Sequence, residues 1–127
     1  MRLRSPVTSA ALTLSVIFSA VLLLTDAELW ASAPHHGYGL AGLAIADMAI
    51  LTVLQTGRIA SPRKIVMVWG LAKFVVFLGD VLTAPEFGIT YGEFASYLFS
   101  LWAYDGLLIS QILIIAGPYL DRLWAGK

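Results

Sequence analysis

The chain has 127 residues, of which 59% are hydrophobic and 13% are charged, whereas a soluble domain typically carries about 25% charged residues. This composition excludes an ordinary soluble domain and predicts one all-α, polytopic membrane domain over residues 1–127. The formal net charge of zero gives no indication of nucleic acid as a partner. The absence of cysteine excludes disulfides, thiolate metal sites and cysteine nucleophiles.

Residues 7–25 are the first of four predicted membrane spans. They are apolar and uncharged, and they follow a basic start that contains Arg2 and Arg4. The run is longer than the apolar region of a signal peptide, which has about 7–15 residues, so it predicts a transmembrane helix rather than a signal peptide. Its uncharged composition indicates contact with lipid or with neighbouring helices.

The connecting segment, residues 26–38, contains carboxylates and imidazoles but no Lys or Arg. These groups suit zinc, copper or iron, so the segment supplies four candidate metal ligands: Asp26, Glu28, His35 and His36. Adjacent histidines rarely converge on one ion, which favours the alternative interpretation of a polar interfacial loop. No cofactor is predicted.

Residues 39–57 are the second predicted span, and they combine a stripe of small residues with one carboxylate. The stripe falls at helical spacing and predicts a face on which another helix can pack closely; its members are Gly39, Gly42, Ala46 and Ala49. Asp47 lies about 100° around the helix from Ala46, so the carboxylate belongs to an adjoining side.

Residues 65–83 are the third predicted span, with Lys73 near the middle and Asp80 one heptad later. A charge at the centre of a transmembrane helix costs at least about 2.5–3.5 kcal/mol, so Lys73 requires a partner or water. Helical side chains lean toward the N-terminus, which directs Lys73 away from Asp80. Asp47 and Asp105 lie at a similar depth, about 12 Å from the outer ends of their spans, so one of them is the predicted partner.

Residues 97–120 are the fourth predicted span. Besides Asp105, this span contains a set of polar side chains that can form hydrogen bonds between helices or line a hydrated path: Ser100, Tyr104, Ser110 and Gln111.

The basic residues predict the orientation of the chain. Seven of them lie on one side of the spans, and none lies in the connecting segments 26–38 and 84–96; the seven are Arg2, Arg4, Arg58, Arg63, Lys64, Arg122 and Lys127. Because Lys and Arg concentrate in cytoplasmic segments, this distribution predicts an up-down bundle of four spans in the plasma membrane with both termini in the cytoplasm.

The charge cluster of Asp47, Lys73, Asp80 and Asp105 supports two hypotheses about function. In the first, a buried ion pair fixes helix packing in a non-catalytic accessory subunit of a larger membrane complex, such as a respiratory or oxygenase complex. In the second, the cluster serves a homo-oligomeric proton- or cation-linked transporter or channel. The expected partners are the lipid bilayer and either other membrane subunits or parallel copies of the chain. A third hypothesis, a membrane enzyme or metal site that uses His35 and His36, ranks last, because the sequence contains no nucleophile motif, glycine-rich phosphate loop or metal signature.

Overall fold

The computed structural model describes residues 5–32, 34–57, 62–79, 82, 85, 88 and 90–125, and these residues contain α-helices and no β-strand. The prediction of an all-α chain is confirmed for this part of the chain. The helices are α1 (Pro6–Thr25), α2 (Ala27–Ser32), α3 (Pro34–Thr56), α4 (Pro62–Gly79), α5 (Tyr91–Ser100) and α6 (Trp102–Ala125).

The first three predicted spans correspond to α1, α3 and α4, with shifted ends. α3 begins at Pro34, because the fixed backbone angle of proline suits the first turn of a helix. His35 and His36 therefore lie in that first turn. The predicted loop over residues 26–38 is wrong, since α2 and the start of α3 occupy most of it. α4 ends at Gly79, and the predicted site residue Asp80 lies outside the described residues.

The fourth predicted span is two helices rather than one. α5 and α6 meet at Leu101, whose backbone is extended, with φ −82° and ψ 111°. α5 begins with a side-chain cap, in which Thr90 Oγ1 accepts a hydrogen bond from the Glu93 backbone N–H at 3.2 Å. α6 continues through the buried Pro118 to Ala125. An internal proline removes one backbone hydrogen bond, but membrane helices tolerate it where neighbouring groups satisfy the freed carbonyl.

The long helices pack antiparallel to their neighbours. Within the described residues α1, α3, α4 and α6 have 20, 23, 18 and 24 residues and lie in the spatial order α3, α1, α6, α4, and α4 also touches α3. Thr8 near the start of α1 contacts Asp121 near the end of α6, and Ser9 contacts Gln55 near the end of α3. α1 and α4 lie diagonally opposite each other, because α3 and α6 each contact both of them.

The two ends of this helix assembly differ in charge. The end at which α1 begins and α6 finishes, called the basic end, carries Arg63, Lys64 and Arg122. The opposite end, called the acidic end, carries Asp26, Glu28 and Glu93.

Two apolar clusters fill the interior, one nearer each end. The cluster toward the basic end includes Leu12, Val66 and Ile114, and the cluster toward the acidic end includes Leu22, Phe77 and Leu107. Between them, each of the four long helices places a fully buried polar residue: Ser15, Asp47, Lys73 and Gln111. The interior is therefore an apolar layer, a polar layer and a second apolar layer.

The closest helix approach depends on glycines of α6. A Cβ on Gly117 would lie 2.6 Å from Thr8 Oγ1, and a Cβ on Gly106 would lie 2.6 Å from the Phe18 ring. Both distances are shorter than normal contacts of a Cβ atom, so a side chain at either position would require its neighbour on α1 to shift.

Three helices are long and apolar enough to cross a membrane among the described residues: Pro6–Thr25, Pro34–Thr56 and Trp102–Trp124. Their length and composition support the prediction of a membrane protein. α4 has 18 residues but is not among them, because Arg63, Lys64 and Lys73 all lie within it.

Candidate functional site

Each of the four long helices contributes one side chain to a buried hydrogen-bonded network, called here the polar layer: Ser15 of α1, Asp47 of α3, Lys73 of α4 and Gln111 of α6. None of the four residues is more than 1% exposed. Lys73 Nζ lies 2.5 Å from Asp47 Oδ2, so the centre of the layer is an ion pair. The carboxylate that pairs with Lys73 is thus on α3.

Ser15 connects the members of the polar layer. Its hydroxyl donates to Asp47 Oδ2 at 2.8 Å and accepts from Lys73 Nζ at 2.7 Å and from Gln111 Nε2 at 3.1 Å. A hydroxyl has one donor and two acceptor lone pairs, so every hydrogen-bonding position of Ser15 is used. One small side chain thereby joins all four helices.

Both charges of the ion pair have further partners. Asp47 Oδ1 accepts a hydrogen bond from the Trp69 indole at 2.8 Å. Lys73 Nζ lies 5.7 Å from the centre of the Trp69 ring and 5.6 Å from that of Phe77, within range of cation–π attraction. A buried ion pair is favourable only when additional contacts compensate its desolvation, and here Ser15, the Trp69 indole and the two aromatic rings provide such contacts.

Two buried polar atoms beside the network have no hydrogen-bond partner within the described part of the chain, namely Ser19 Oγ and Gln111 Oε1. Ser19 lies one turn from Ser15 on the same face of α1, toward the acidic end. An unpaired buried hydroxyl or amide oxygen is destabilising, so these atoms mark places where the interior is not optimised for stability alone.

A cavity of about 750 Å³ opens at the acidic end. Buried apolar and aromatic side chains form its deep part, among them Leu40, Phe77, Leu98 and Leu107. Carboxylates and imidazoles line its more exposed part, and the lining set includes no Lys or Arg: Asp26, Glu28, His35, His36 and Glu93. The cavity is therefore apolar inside and acidic at its opening.

The deep part of the cavity lies directly above the polar layer. Leu43, Phe77 and Leu107 line the cavity and are four residues from Asp47, Lys73 and Gln111, respectively. Four residues of helix correspond to one turn, about 6 Å along the axis. One turn of side chains separates the cavity from the ion pair.

The wall of the cavity is fixed by a hydrogen bond between α5 and the end of α1. Tyr97 donates its phenol proton to Asp26 Oδ1 at 2.9 Å. Burial, this hydrogen bond and the nearby carboxylates raise the pKa of Tyr97 from 10.0 to about 12. Asp26 also accepts the Leu29 N–H at 3.2 Å and so caps α2.

The four candidate metal ligands all line this cavity. His35 and His36 pack edge to face with ring centres 4.3 Å apart. Within the described residues no group of three or more His, Asp or Glu side chains is arranged to hold a metal ion. Asp26 is instead engaged with Tyr97 and Leu29.

The other predicted site residues are dispersed. Asp105 is half-buried in the first turn of α6, six residues or about 9 Å along the axis from Gln111, and lies outside the polar layer. Its predicted depth is wrong because the helix restarts after Leu101, which places Asp105 near the acidic end. Among the polar side chains predicted for the fourth span, Ser100 is exposed on α5. Tyr104 is buried and donates a hydrogen bond to the Phe77 carbonyl, and Ser110 is buried beside Gln111.

The small-residue stripe of α3 is largely exposed, and one of its members, Gly39, lines the cavity at the acidic end. A Cβ at Gly39 or Gly42 would meet no atom within 4 Å, and Ala49 is exposed while Ala46 is half-buried. No helix in the described part of the chain packs on Gly39 and Gly42. The stripe therefore remains a prediction about contact with another chain.

Sequence reasoning missed Ser15 and Trp69. The buried positions of α1 include Thr8, Leu12, Ser15, Ser19 and Leu22, which alternate by four and three residues as in a packed helix seam. A hydroxyl on such a seam is the signal that could have identified Ser15. Comparison of the chain with protein-family models, with curated proteins and with solved structures finds no match, so the polar layer and the cavity are the features that indicate function.

Proposed function

We propose that the chain is a four-span protein of the plasma membrane, with both termini in the cytoplasm, that acts as a proton- or cation-linked transporter. The observation that carries the proposal is the position of the Lys73–Asp47 ion pair, one helical turn below a cavity that opens at the acidic end. Ionisable residues inside a membrane domain commonly mark the path of an ion or substrate.

The surface of α4 supports its role as a fourth span. Its exposed large side chains between the first turn and Gly79 are apolar, and include Val68, Leu71 and Val75. Lys73 is buried in the interior and is compensated there by Asp47, so its charge does not face lipid. Arg63 and Lys64 lie in the first turn, where long basic side chains can reach the headgroup region.

The charge difference between the two ends supports the orientation. The basic end belongs in the cytoplasm by the positive-inside rule, which directs the cavity to the outside. The natural absence of cysteine permits a direct test with single substitutions at exposed positions of the two ends, Ser96→Cys and Thr56→Cys. A membrane-impermeant maleimide should label Ser96→Cys in intact cells and Thr56→Cys only after permeabilisation. The opposite pattern would overturn the orientation.

The ion pair gives a physical basis for exchange. With both groups ionised the pair has no net charge, which suits a low-dielectric interior. Loss of either charge would leave the other uncompensated one helical turn below the cavity, where it would interact electrostatically with an ion in the cavity. The charge of the pair and the cation occupancy of the cavity would thereby be coupled, which a linked transporter requires.

Proteoliposomes that contain only this chain and a trapped pH-sensitive dye would test the proposal. A gradient of Na⁺, K⁺ or tetraphenylphosphonium should drive proton flux in the wild type, and the flux should be lost in Asp47→Asn and in Lys73→Met. Asp105→Asn is the matched control, because it makes the same chemical change outside the polar layer. Helical content and monodisperse elution must be unchanged in each variant. Absence of flux in the wild type would contradict transport, whereas full flux in both ion-pair variants would contradict the role of the ion pair in it.

A second candidate function is that of an accessory subunit of a larger membrane complex, such as a respiratory or oxygenase complex. The specific observation in its favour is the open surface over Gly42, on which a helix of another subunit could pack closely. The Lys73–Asp47 pair is compatible with a structural role, but it forms within the chain and does not require a partner subunit. Native mass spectrometry of the gently solubilised protein separates the two: unlike subunits in fixed ratio favour the accessory role, and copies of this chain alone favour transport.

A further inference from the structure

We infer that the cavity at the acidic end binds an organic cation with an apolar body. This inference names a substrate class for the proposed transporter and rests on that proposal for its role in transport, while binding itself can be tested separately. The volume of about 750 Å³ is that of a site for a ligand of drug size.

The deep part of the cavity favours an apolar body over a bare metal ion. Leu40, Leu98 and Leu107 are each at most 9% exposed, and they offer hydrocarbon rather than oxygen ligands. An inorganic cation would lose its hydration there without replacement. The described residues also contain no group of carboxylates and imidazoles arranged to hold a metal ion.

The opening of the cavity favours positive charge. Asp26, Glu28 and Glu93 line it, and the lining set includes no Lys or Arg, so anions are repelled and cations attracted. His35 and His36 line the opening beside these carboxylates.

An aromatic pair in the wall provides a surface that suits an organic cation. The rings of Phe94 and Tyr97 both line the cavity and stack with centres 6.4 Å apart and planes inclined by 15°. The faces of such rings attract ammonium and phosphonium groups, more strongly when water is excluded. Apolar walls, aromatic faces and carboxylates at one cavity together match a lipophilic cation.

The probe for this inference is tetraphenylphosphonium, with tetraphenylborate as a control of the same shape and opposite charge. Binding is measured by equilibrium dialysis against the purified chain in nanodiscs of phosphatidylcholine, with empty nanodiscs as background. We expect saturable binding of the cation, no saturable binding of the anion, and at least a tenfold loss of affinity in the double variant Glu28→Gln/Glu93→Gln. Asp105→Asn should bind like the wild type, because Asp105 does not line the cavity.

Phe94→Leu is a second test of cation binding, for the case in which the double variant loses affinity because it unfolds. It keeps an apolar side chain but removes one ring of the stacked pair, and it should also weaken cation binding at unchanged helical content. Mass spectrometry of the delipidated protein detects any lipid that it retains. A retained choline-headgroup lipid that tetraphenylphosphonium displaces would identify a lipid headgroup as the natural cationic ligand.

The outcomes distinguish the inference from the proposed function. Saturable cation binding without any cation-driven proton flux would uphold the cavity assignment and overturn transport. Proton flux driven by Na⁺ or K⁺ without saturable tetraphenylphosphonium binding would uphold transport and overturn the substrate class. Equal binding of tetraphenylphosphonium and tetraphenylborate would overturn the substrate class as well, because an apolar cavity without charge selection would explain it.

Discussion

Lys73 of α4 donates a hydrogen bond to Ser15 of α1, with 2.7 Å between Nζ and Oγ, although the two residues are 58 positions apart in the sequence. Because α1 and α4 lie at diagonal positions, the lysine side chain crosses the centre of the helix assembly. It meets there the carboxylate of Asp47 from α3. A disturbance at this point should therefore be transmitted to every long helix.

Removal of one charge of the pair should be more damaging than removal of both. Lys73→Met leaves the buried carboxylate of Asp47 without its counter-charge, and we expect a loss of about 3–5 kcal/mol in the free energy of unfolding. The double variant Asp47→Leu/Lys73→Met should lose less than Lys73→Met alone, since no uncompensated charge remains. Unfolding in detergent, followed by circular dichroism, measures both. Additive losses in the double variant would contradict the coupling.

Ser15 and Ser19 provide a matched pair of buried hydroxyls on one helix face. Ser15→Ala removes a group that makes three hydrogen bonds and should cost about 1–3 kcal/mol. Ser19→Ala removes a hydroxyl that has no partner among the described residues, so the same substitution one turn away should be neutral or slightly stabilising. Thermal unfolding of the two variants in the same detergent decides the point. An equal loss in both would show that helix packing, and not the network, determines the effect.

The general character of the chain could be predicted from its sequence because it depends on long apolar runs. The apolar runs of α1 and α6 are helices of membrane-compatible length. Lys73, near the middle of the third predicted span, required a partner whichever helix supplied it. Asp47 was one of two candidate partners for Lys73. The position of a residue along its helix gives its depth, but it does not show toward which neighbouring helix its side chain points. The choice between Asp47 and Asp105 required the arrangement of the helices in space.

The break at Leu101 shows the limit of reasoning from hydropathy. The segment from Tyr97 to Leu120 is mostly apolar, and no Gly or Pro at Leu101 predicts a break there. Tertiary contacts account for the break instead. Phe94 and Leu98 of α5 pack in the cluster at the acidic end, whereas α6 packs against α1. Ser15 was missed for a similar reason, since the function of a lone serine depends on which groups the other helices bring to it.

Close packing between α1 and α6 leads to a prediction about glycines. Gly117→Ala would place a methyl group 2.6 Å from Thr8 Oγ1 and so disturb the hydrogen bond from that hydroxyl to Asp121. We expect a loss of about 1–3 kcal/mol from this overpacking. Gly42→Ala is the matched control, because its methyl group would meet no atom within 4 Å and alanine favours a helix by up to about 1 kcal/mol.

The same pair of variants also tests the surface of α3. If another subunit packs over Gly42, Gly42→Ala should leave the unfolding of the isolated chain unchanged or improved but reduce co-purification of the partner. Gly117→Ala should act on the isolated chain itself. A stable Gly117→Ala variant with unaltered unfolding would show that α1 and α6 can separate at no cost, contrary to the close approach in the structure.

The hydrogen bond between Tyr97 and Asp26 leads to a prediction about alkaline pH. Burial and the interaction with Asp26 raise the pKa of Tyr97 from 10.0 to about 12. Between these two values the folded chain keeps the phenol proton while the unfolded chain has released it. The folded state thus binds more protons, and the contribution of Tyr97 to stability, present in full below pH 10, declines as the pH rises toward 12.

Ultraviolet titration of phenolate absorbance measures this effect, with the spectrum of Tyr97→Phe subtracted from that of the wild type. The difference should develop around pH 12 in the folded protein and near pH 10 after denaturation. Asp26→Asn should move the folded transition to lower pH, because it removes the negative charge that opposes ionisation but leaves an oxygen to accept the hydrogen bond. A Tyr97 transition near pH 10 in the folded wild type would mean that the phenol is not held against Asp26, and that α5 does not form the wall of the cavity as described.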